Sequence, residues 1–305
     1  MHPTLRVLCL FLLPVLAPSA ASSEPPVLIV WTSGIPPFQE AWDGLRAGLN
    51  STESIVSIDL KSPSAKTELE RAAQHPQRLV VAIGVSALTA VRKHRFSAPT
   101  LATMVLHSDA VSALPAVPGQ KLVTVYLDIP IADVIARLRA SFPGKTRLGI
   151  IRNPSWDSRV DPQWPAEARR QGFTIEVREC ASPETLLKTF LTLKHKADFV
   201  LLQPDATLYN EATARPLLLA SLENQLPVIG FSASFVRSGA AVGVYPDFAD
   251  IGEQTAELAR RFLAAGASPA SESPRKLIFS TNYSVLRLLG LDPKSAAEYP
   301  MTLIK

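Results

Sequence analysis

Cysteine is nearly absent from this chain, with two in 305 residues, Cys9 and Cys180. Cys9 lies in an N-terminal apolar run. If that run is removed, Cys180 stands alone, which excludes an intramolecular disulfide, a CxxC redox pair and a Cys/His zinc cage. Concentrated positive charge is also missing. The net charge of +4 and the pI near 9.1 come from scattered Lys and Arg, without the basic stripe or aromatic platform that a nucleic-acid partner requires. No GxGxxG or GxxxxGK loop occurs, so neither a dinucleotide nor a nucleotide triphosphate is expected, and no cofactor is implied. His75, His94 and His195, and His107 with Asp109, are isolated from one another and from any Cys or Glu at metal spacing. They read as surface histidines, and no metal is expected.

The chain is rich in apolar residues, 47% of the total, but only 7% are aromatic. Ala, Leu and Val dominate, as suits helices packed on a parallel sheet. Prolines outnumber glycines, 26 to 14, and many flank apolar runs, where they punctuate strand–helix units. Mean hydropathy is +0.15, part of it from the N-terminus. There Arg6 precedes the run Leu8 to Leu16 (LCLFLLPVL), which is too short to span a bilayer comfortably. Ser19 and Ala21 supply a small-residue cleavage region. This is the pattern of a secretory signal over 1–21, cleaved near Ala21, with an uncleaved anchor as the other reading. No later stretch reaches about eighteen consecutive apolar residues, so the mature chain is expected to be a soluble, exported protein in the periplasm.

Short apolar runs then alternate with helical patterns. Val27 to Trp31 (VLIVW), Arg78 to Ile83 (RLVVAI), Arg147 to Ile151 (RLGII) and Asp198 to Gln203 (DFVLLQ) read as buried strands. Each is followed by a polar loop and a segment of helical spacing. About eleven strands on this plan exceed one comfortable sheet, and the pattern restarts at the helix from Ile131 to Phe142. RLVVAIGVSALTAVRK followed by APTLATMV has the same supersecondary logic as DFVLLQPDATLYNEA followed by LPVIGF. The fold class is therefore α/β, with two Rossmann-like lobes built on parallel sheets.

In open α/β sheets, ligands sit outside the carboxyl ends of the strands. The loops there offer Ser33, Gly84, Ser86, Asn153, Asp205, Phe231, Ser232, Tyr245 and Asp247 as candidate ligand-binding residues. Hydroxyls, amides, two carboxylates and two rings can hold a small polar or zwitterionic molecule, but they include no nucleophile paired with a base. Gly84-Val85-Ser86-Ala87-Leu88 begins like a hydrolase elbow but has Leu88 where that motif needs Gly. Ser86 is better read as an N-cap or a ligand hydroxyl. Asp205 can meet a ligand ammonium or cap the helix expected from about Ala206 to Asn224. Asp247 can face the cleft or make the Pro246-Asp247 turn. Trp156 can cover the cleft or pack on the surface.

Several pieces together resemble the ABC-transporter substrate-binding proteins of the tryptophan/tyrosine-binding type. They are VVAIGVSAL, LDIPIADVIARLRASFPGKTRLGIIRNPS, ADFVLLQPDATLYN, LPVIGFSASFVRSGAAVGVYPDFADIGEQTAELARRFL and LIFSTNYSVLRLLGLD. The resemblance implies a type I periplasmic-binding-protein architecture with three interlobe crossovers, near Tyr126 to Asp128, Tyr245 to Asp247 and Leu277 to Ser280. One lobe would comprise 24–127 plus 247–275, the other 128–246 plus 276–305. It also implies a small-molecule ligand, such as an amino acid or a related compound, clamped between the lobes and delivered to an ABC permease in the inner membrane, by a monomer without catalysis. The family's functional positions carry over to Gly84, Asn153, Asp205, Ser232 and Asp247. The chain departs from the pattern at Val85, between His107 and Val123, and in the first loop, SGIPPFQEAWDGLRAGL. These departures bear on an aromatic amino-acid ligand and not on the clamp. A ligand-sensing input module for a membrane signalling protein is the alternative from another class.

Overall fold

A computed structural model describes residues 24–49, 53–106, 114, 116–154, 164–205, 207–265, 269–293 and 302–303. The signal region, His107, Asp109 and Trp156 lie outside the described residues. Two sheets form the frame. The first takes β1 (Val27–Trp31), β2 (Ile55–Asp59), β3 (Leu79–Ile83), β4 (Thr100–Val105) and β5 (Leu122–Tyr126) in the order β2-β1-β3-β4-β5. All its pairings are parallel. The second takes β6 (Arg147–Arg152), β7 (Thr174–Glu179), β8 (Phe199–Leu202), β9 (Val228–Gly230), β10 (Val242–Pro246), β11 (Leu277–Thr281) and β12 (Thr302–Leu303). Its order is β12-β11-β10-β9-β8-β6-β7, with β10 and β11 antiparallel. Over their first five strands the two sheets repeat one order. The similar stretches noted in the sequence occupy equivalent places, β3 to β4 and β8 to β9.

The central strands are buried along their whole length, as at Leu79–Ile83 and Phe199–Leu202. Helices cover both faces, which is why these strands read as unbroken apolar runs. On the first sheet lie α1 (Pro36–Gly48), α2 (Ala65–Ala73) and α3 (Val85–Lys93). The second carries α4 (Ile131–Ser141), α5 (Trp164–Arg170), α6 (Pro183–Leu191), α7 (Glu211–Glu223), α8 (Ala233–Arg237) and α10 (Tyr283–Leu288). The long α9 (Phe248–Ala265) follows β10 of the second sheet but packs back on the first, burying Ile251, Leu258 and Phe262 with Val81, Leu101 and Leu45. Thr255 Oγ1 pins it to β4 through Thr103 Oγ1 at 3.0 Å.

Two local readings shift. The helix expected from Ala206 begins at Glu211, because Asn210 and Thr213 form a reciprocal capping box there. The chain passes between the sheets after Tyr126, at Pro246–Phe248 and ahead of Leu277. The third passage precedes Leu277 to Ser280 because those residues are zipped against β10, from Val242 opposite Thr281 to Pro246 opposite Leu277. Before it, Glu272 bridges to Val125 and exchanges backbone hydrogen bonds with Thr124 and Tyr126 at 2.9 Å. The third passage thereby extends the edge of the first sheet before crossing to the second.

α1 and α9 approach closely enough for backbone to touch backbone. A Cβ on Gly252 would stand 2.1 Å from the Ala41 carbonyl oxygen, and one on Gly44 would stand 2.1 Å from that of Ala249. Only glycine fits there. Gly252→Ala should gain about 1 kcal/mol of helix propensity, yet lose about 1–3 kcal/mol to overpacking, since a helix backbone cannot swing aside as a side chain can. Urea unfolding should show a net loss of stability; an increased midpoint would mean that the helices do not meet this closely.

Candidate functional site

A cleft of about 320 Å³ opens between the sheets. From the first-sheet side it is walled by Ile35, Pro37 and Phe38 after β1, by Met104 and Leu106 at the end of β4, and by Phe248 at the start of α9. The second sheet contributes Leu201 and Leu202 at the end of β8 with Gln203 and Pro204 after it, Phe231 and Ser232 after β9, and Val244 and Pro246 on β10. Trp164 closes one side, while Leu127, Asp128 and Ile129 of the first crossing form the floor. Every wall position is apolar except Asp128, Gln203 and Ser232. The cleft thus lies at the carboxyl ends of strands from both sheets, where this class of sheet binds ligands.

The strand order reverses between β1 and β3 and again between β6 and β8, and each reversal is bridged internally. In the first sheet, the Phe38 ring lies against Gly84, whose φ of +89° suits glycine; a Cβ there would come within 2.6 Å of the ring. In the second, Asn153 Nδ2 donates to Asp205 Oδ2 at 3.0 Å, with Asn153 3% and Asp205 4% exposed. The other Asp205 oxygen accepts from the backbone N–H groups of Thr207 (2.8 Å) and Leu208 (3.2 Å). Asp205 therefore caps the turn after β8 and holds Asn153 at the same time.

Behind this pair lies a buried aromatic cluster. Tyr209 packs on Phe231 and Phe235 at 5.9 and 6.2 Å, and those two rings are 4.7 Å apart. Burial, then the nearby Asp205 and Cys180, push the Tyr209 phenol far above its ordinary value. Its hydroxyl has no hydrogen-bond partner among the described residues. Phe231 is the one ring of the three that reaches the cleft. Cys180 is 1% exposed, and its thiol donates to the Ser182 carbonyl at 3.2 Å.

Of the nine residues expected from sequence, Phe231 and Ser232 line the cleft. Ser232 also caps α8, its Oγ accepting from Phe235 N at 3.3 Å. Asn153 and Asp205 are joined in the second sheet. Ser33 is held by its N–H donating to Asp59 Oδ1 at 3.0 Å, Ser86 is exposed, and Tyr245 is buried in β10. Asp247 lies at the second crossing: its Oδ1 accepts from Asp250 N at 3.2 Å, and its Oδ2 pairs with Lys276 Nζ at 2.6 Å. Sequence reasoning missed Phe38, Met104, Trp164, Gln203 and Phe248. Gln203 and Phe248 flank Pro204 and Asp247 and were within reach of the strand-end rule. Met104 was not: a β-bulge between Thr103 and Val105 gives it a φ of +58°, a strained value for a side-chain-bearing residue, and nothing in the sequence signals that kink.

The model of the ABC transporter substrate binding protein family matches residues 35–283. The chain belongs to that family. Comparison with curated protein sequences gives no match. Among solved structures, the chain is similar to an ABC domain in complex with L-Trp from Streptococcus pneumoniae (17% identity, 92% of this chain and 100% of that one, TM-score 0.64). It is also similar to the ligand-free, open form of a substrate-binding protein with adhesive properties from Clostridium difficile (16%, 92% and 99%, TM-score 0.69). A third is a periplasmic ribose ABC transporter protein from Conexibacter woesei (15%, 91% and 97%, TM-score 0.53). At these identities the likeness is one of fold, the type I periplasmic-binding-protein architecture. The family is one of binding proteins that serve ABC transport of small molecules, and a sensor role finds no support in it.

Two predictions follow the charges. Asp205→Ala removes the acceptor of the Thr207 and Leu208 N–H groups and of the buried Asn153 Nδ2. It should cost about 1–3 kcal/mol in urea unfolding without ligand, and an unchanged midpoint would remove Asp205 from this network. Burial tends to raise the Asp247 carboxyl, but Lys276 and the N–H groups of Asp250 and Ala249 outweigh it and hold it below the ordinary range. A lowered carboxyl stabilises the fold above its unfolded value, roughly 3.9, and that stability drains away as pH falls toward the folded value. Glu40, pushed up by burial and then by Asp247, works in the opposite sense just above the ordinary glutamate range. Melting temperature should therefore fall on acidification below about pH 4, and less steeply in Asp247→Asn; parallel curves for the two proteins would refute the assignment.

Proposed function

We propose that the cleft between the sheets is the solute site, and that the protein closes on its solute by moving two lobes, 24–127 plus 247–275 against 128–246 plus 276–305, about the three crossings. The observation that carries this reading is the wall of the cleft, which takes residues from both sheets and from the first two crossings, so that one bound molecule touches every part that must move. Closure then gives an ABC permease in the inner membrane a shape that the empty protein rarely adopts. The amino-terminal segment acts as a secretory signal cut near Ala21, and the mature monomer works in the periplasm.

In this reading Phe231 and Ser232 contact the solute directly. Asn153 and Asp205 set the shape of the second-sheet wall, Gly84 seats Phe38, and Ser33, in the loop after β1, and Ser86, in the first turn of α3, approach with the first lobe on closure. Tyr245 and Asp247 carry the hinge. In this reading the protein performs no chemistry on the solute: the family is one of binding proteins, and among the described residues the polar wall groups are Asp128, Gln203 and Ser232. The fold does not fix the solute, since similar architectures appear in proteins described with L-Trp and with ribose. An amino acid or a related compound remains within the range.

The test is a thermal-shift panel of amino acids, amines, organic acids and sugars on the mature protein, followed by titration of the best solute against Trp164→Ala. Burying a ring against a ligand is worth about 1.5–3 kcal/mol, so affinity should drop by about tenfold or more. Equal affinity in the variant would place the site elsewhere.

A further inference from the structure

One polar atom on the cleft wall has nothing to meet. Gln203 Oε1 is buried without a hydrogen-bond partner, and among the described residues Gln203 is the one with such an atom that also lines the cleft. Gln120 and Gln254 leave Oε1 unpaired too, but each is anchored through its Nε2. Gln120 donates to the Phe96 carbonyl at 2.6 Å, and Gln254 donates to Glu272 at 2.8 Å and to the Ser273 carbonyl at 3.0 Å. Those two amides fasten one segment of chain to another. No such tie holds Gln203 among the described residues. A buried acceptor left unpaired costs stability, because it has given up water and gained nothing in exchange. Such atoms are few in a folded chain and call for a cause. For one that opens on a binding cleft, the cause is a partner that comes from outside.

The backbone holds Gln203 firmly in place. Before it, β8 is buried along its whole length. After it, Pro204 restricts the preceding residue to extended conformations, and Asp205 closes the turn. An extended Gln203 points to the same side of the sheet as Leu201, which packs there with Val244 and Trp164. Phe38, Phe248 and Phe231 complete an apolar surround, in which a hydrogen bond counts for more than it does in water. At the end of the neighbouring β9, Ser232 Oγ accepts from Phe235 N, and its O–H remains to donate. We infer that Gln203 is a specificity-determining residue of the solute site. Its Oε1 accepts from an N–H or O–H of the solute, so that among apolar bodies that fit between the rings the cleft selects those carrying a donor. The inference rests on the reading of the cleft as the solute site.

Gln203→Met tests it, since methionine keeps the length and the unbranched shape but has no amide. Without solute, the mature variant should melt higher than the parent by about 2 °C or more, because an unmet acceptor is gone. An equal or lower melting temperature would make Gln203 a structural residue and overturn the inference. Binding is then read by calorimetric titration with two matched pairs of probes, indole with N-methylindole and benzyl alcohol with benzyl methyl ether. The donor-bearing member of each pair that binds should lose about tenfold or more in affinity on Gln203→Met, while its methylated partner binds both proteins alike. An equal loss for both members, or no loss for either, overturns the inference. Trp164→Ala separates it from the reading on which it rests. Affinity lost in Trp164→Ala but kept in Gln203→Met leaves the cleft as the solute site and removes the role of Gln203; affinity kept in both variants removes both. Failure of all four probes to bind the parent also overturns the inference, and the wider solute panel then decides the cleft.

Discussion

The contact on which the rest of this structure depends is the one between the backbones of α1 and α9. Two glycines, Gly44 and Gly252, let the helices meet with no side chain between them. α9 is the element that leaves the second sheet and returns to the first, so its seat determines where Pro246, Asp247 and Phe248 stand. Those residues are at once the second crossing, the cap of α9 and part of the cleft wall. A shift of α9 along α1 would move all three together.

Charge fixes the neighbouring crossing in the same way. Lys276 meets Asp247 through its side chain, and the Lys276 carbonyl accepts from Asp247 N at 3.0 Å. Arg275 spreads over Asp250, Glu253 and Glu257 on α9, and Glu272 pairs with Arg261. These pairs are partly exposed, and singly each is worth little. Together they fasten the third passage to the outer side of α9, so the second and third crossings are tied to each other while the first, through Leu127 to Pro130, remains separate. The proposed closing motion would then bend two connections rather than three.

Much of the frame was legible in the sequence because fully buried parallel strands leave unbroken apolar runs such as Leu79–Ile83, and prolines mark the turns between units. The cleft was legible in outline only. The strand-end rule finds Phe231 and Ser232, but it favours polar residues, and this wall is apolar. Phe38 and Phe248 sit in the first turns of amphipathic helices, where a ring reads as core. Asp205 reads in the sequence as an acid between a strand end and a helix start. Its two roles, cap and partner of Asn153, became separable only once the partner, some fifty residues earlier in the chain at |i−j| of 52, was placed beside it. The prolines of the first loop were visible as a departure from the family pattern, yet their meaning depends on what Ile35 and Phe38 face.

The seat of α9 also governs when the protein can finish folding. The first sheet has its five strands by Tyr126, but its face between α1 and β4 stays open until α9 arrives; Arg260 reaches the Gly48 carbonyl across 212 positions of sequence. Contacts that close so large a loop form late, because the entropy of closure comes before any reward from burial. During synthesis the first half therefore emerges with an unfinished core. The amino-terminal half stays loosely closed until the segment that locks it has been made.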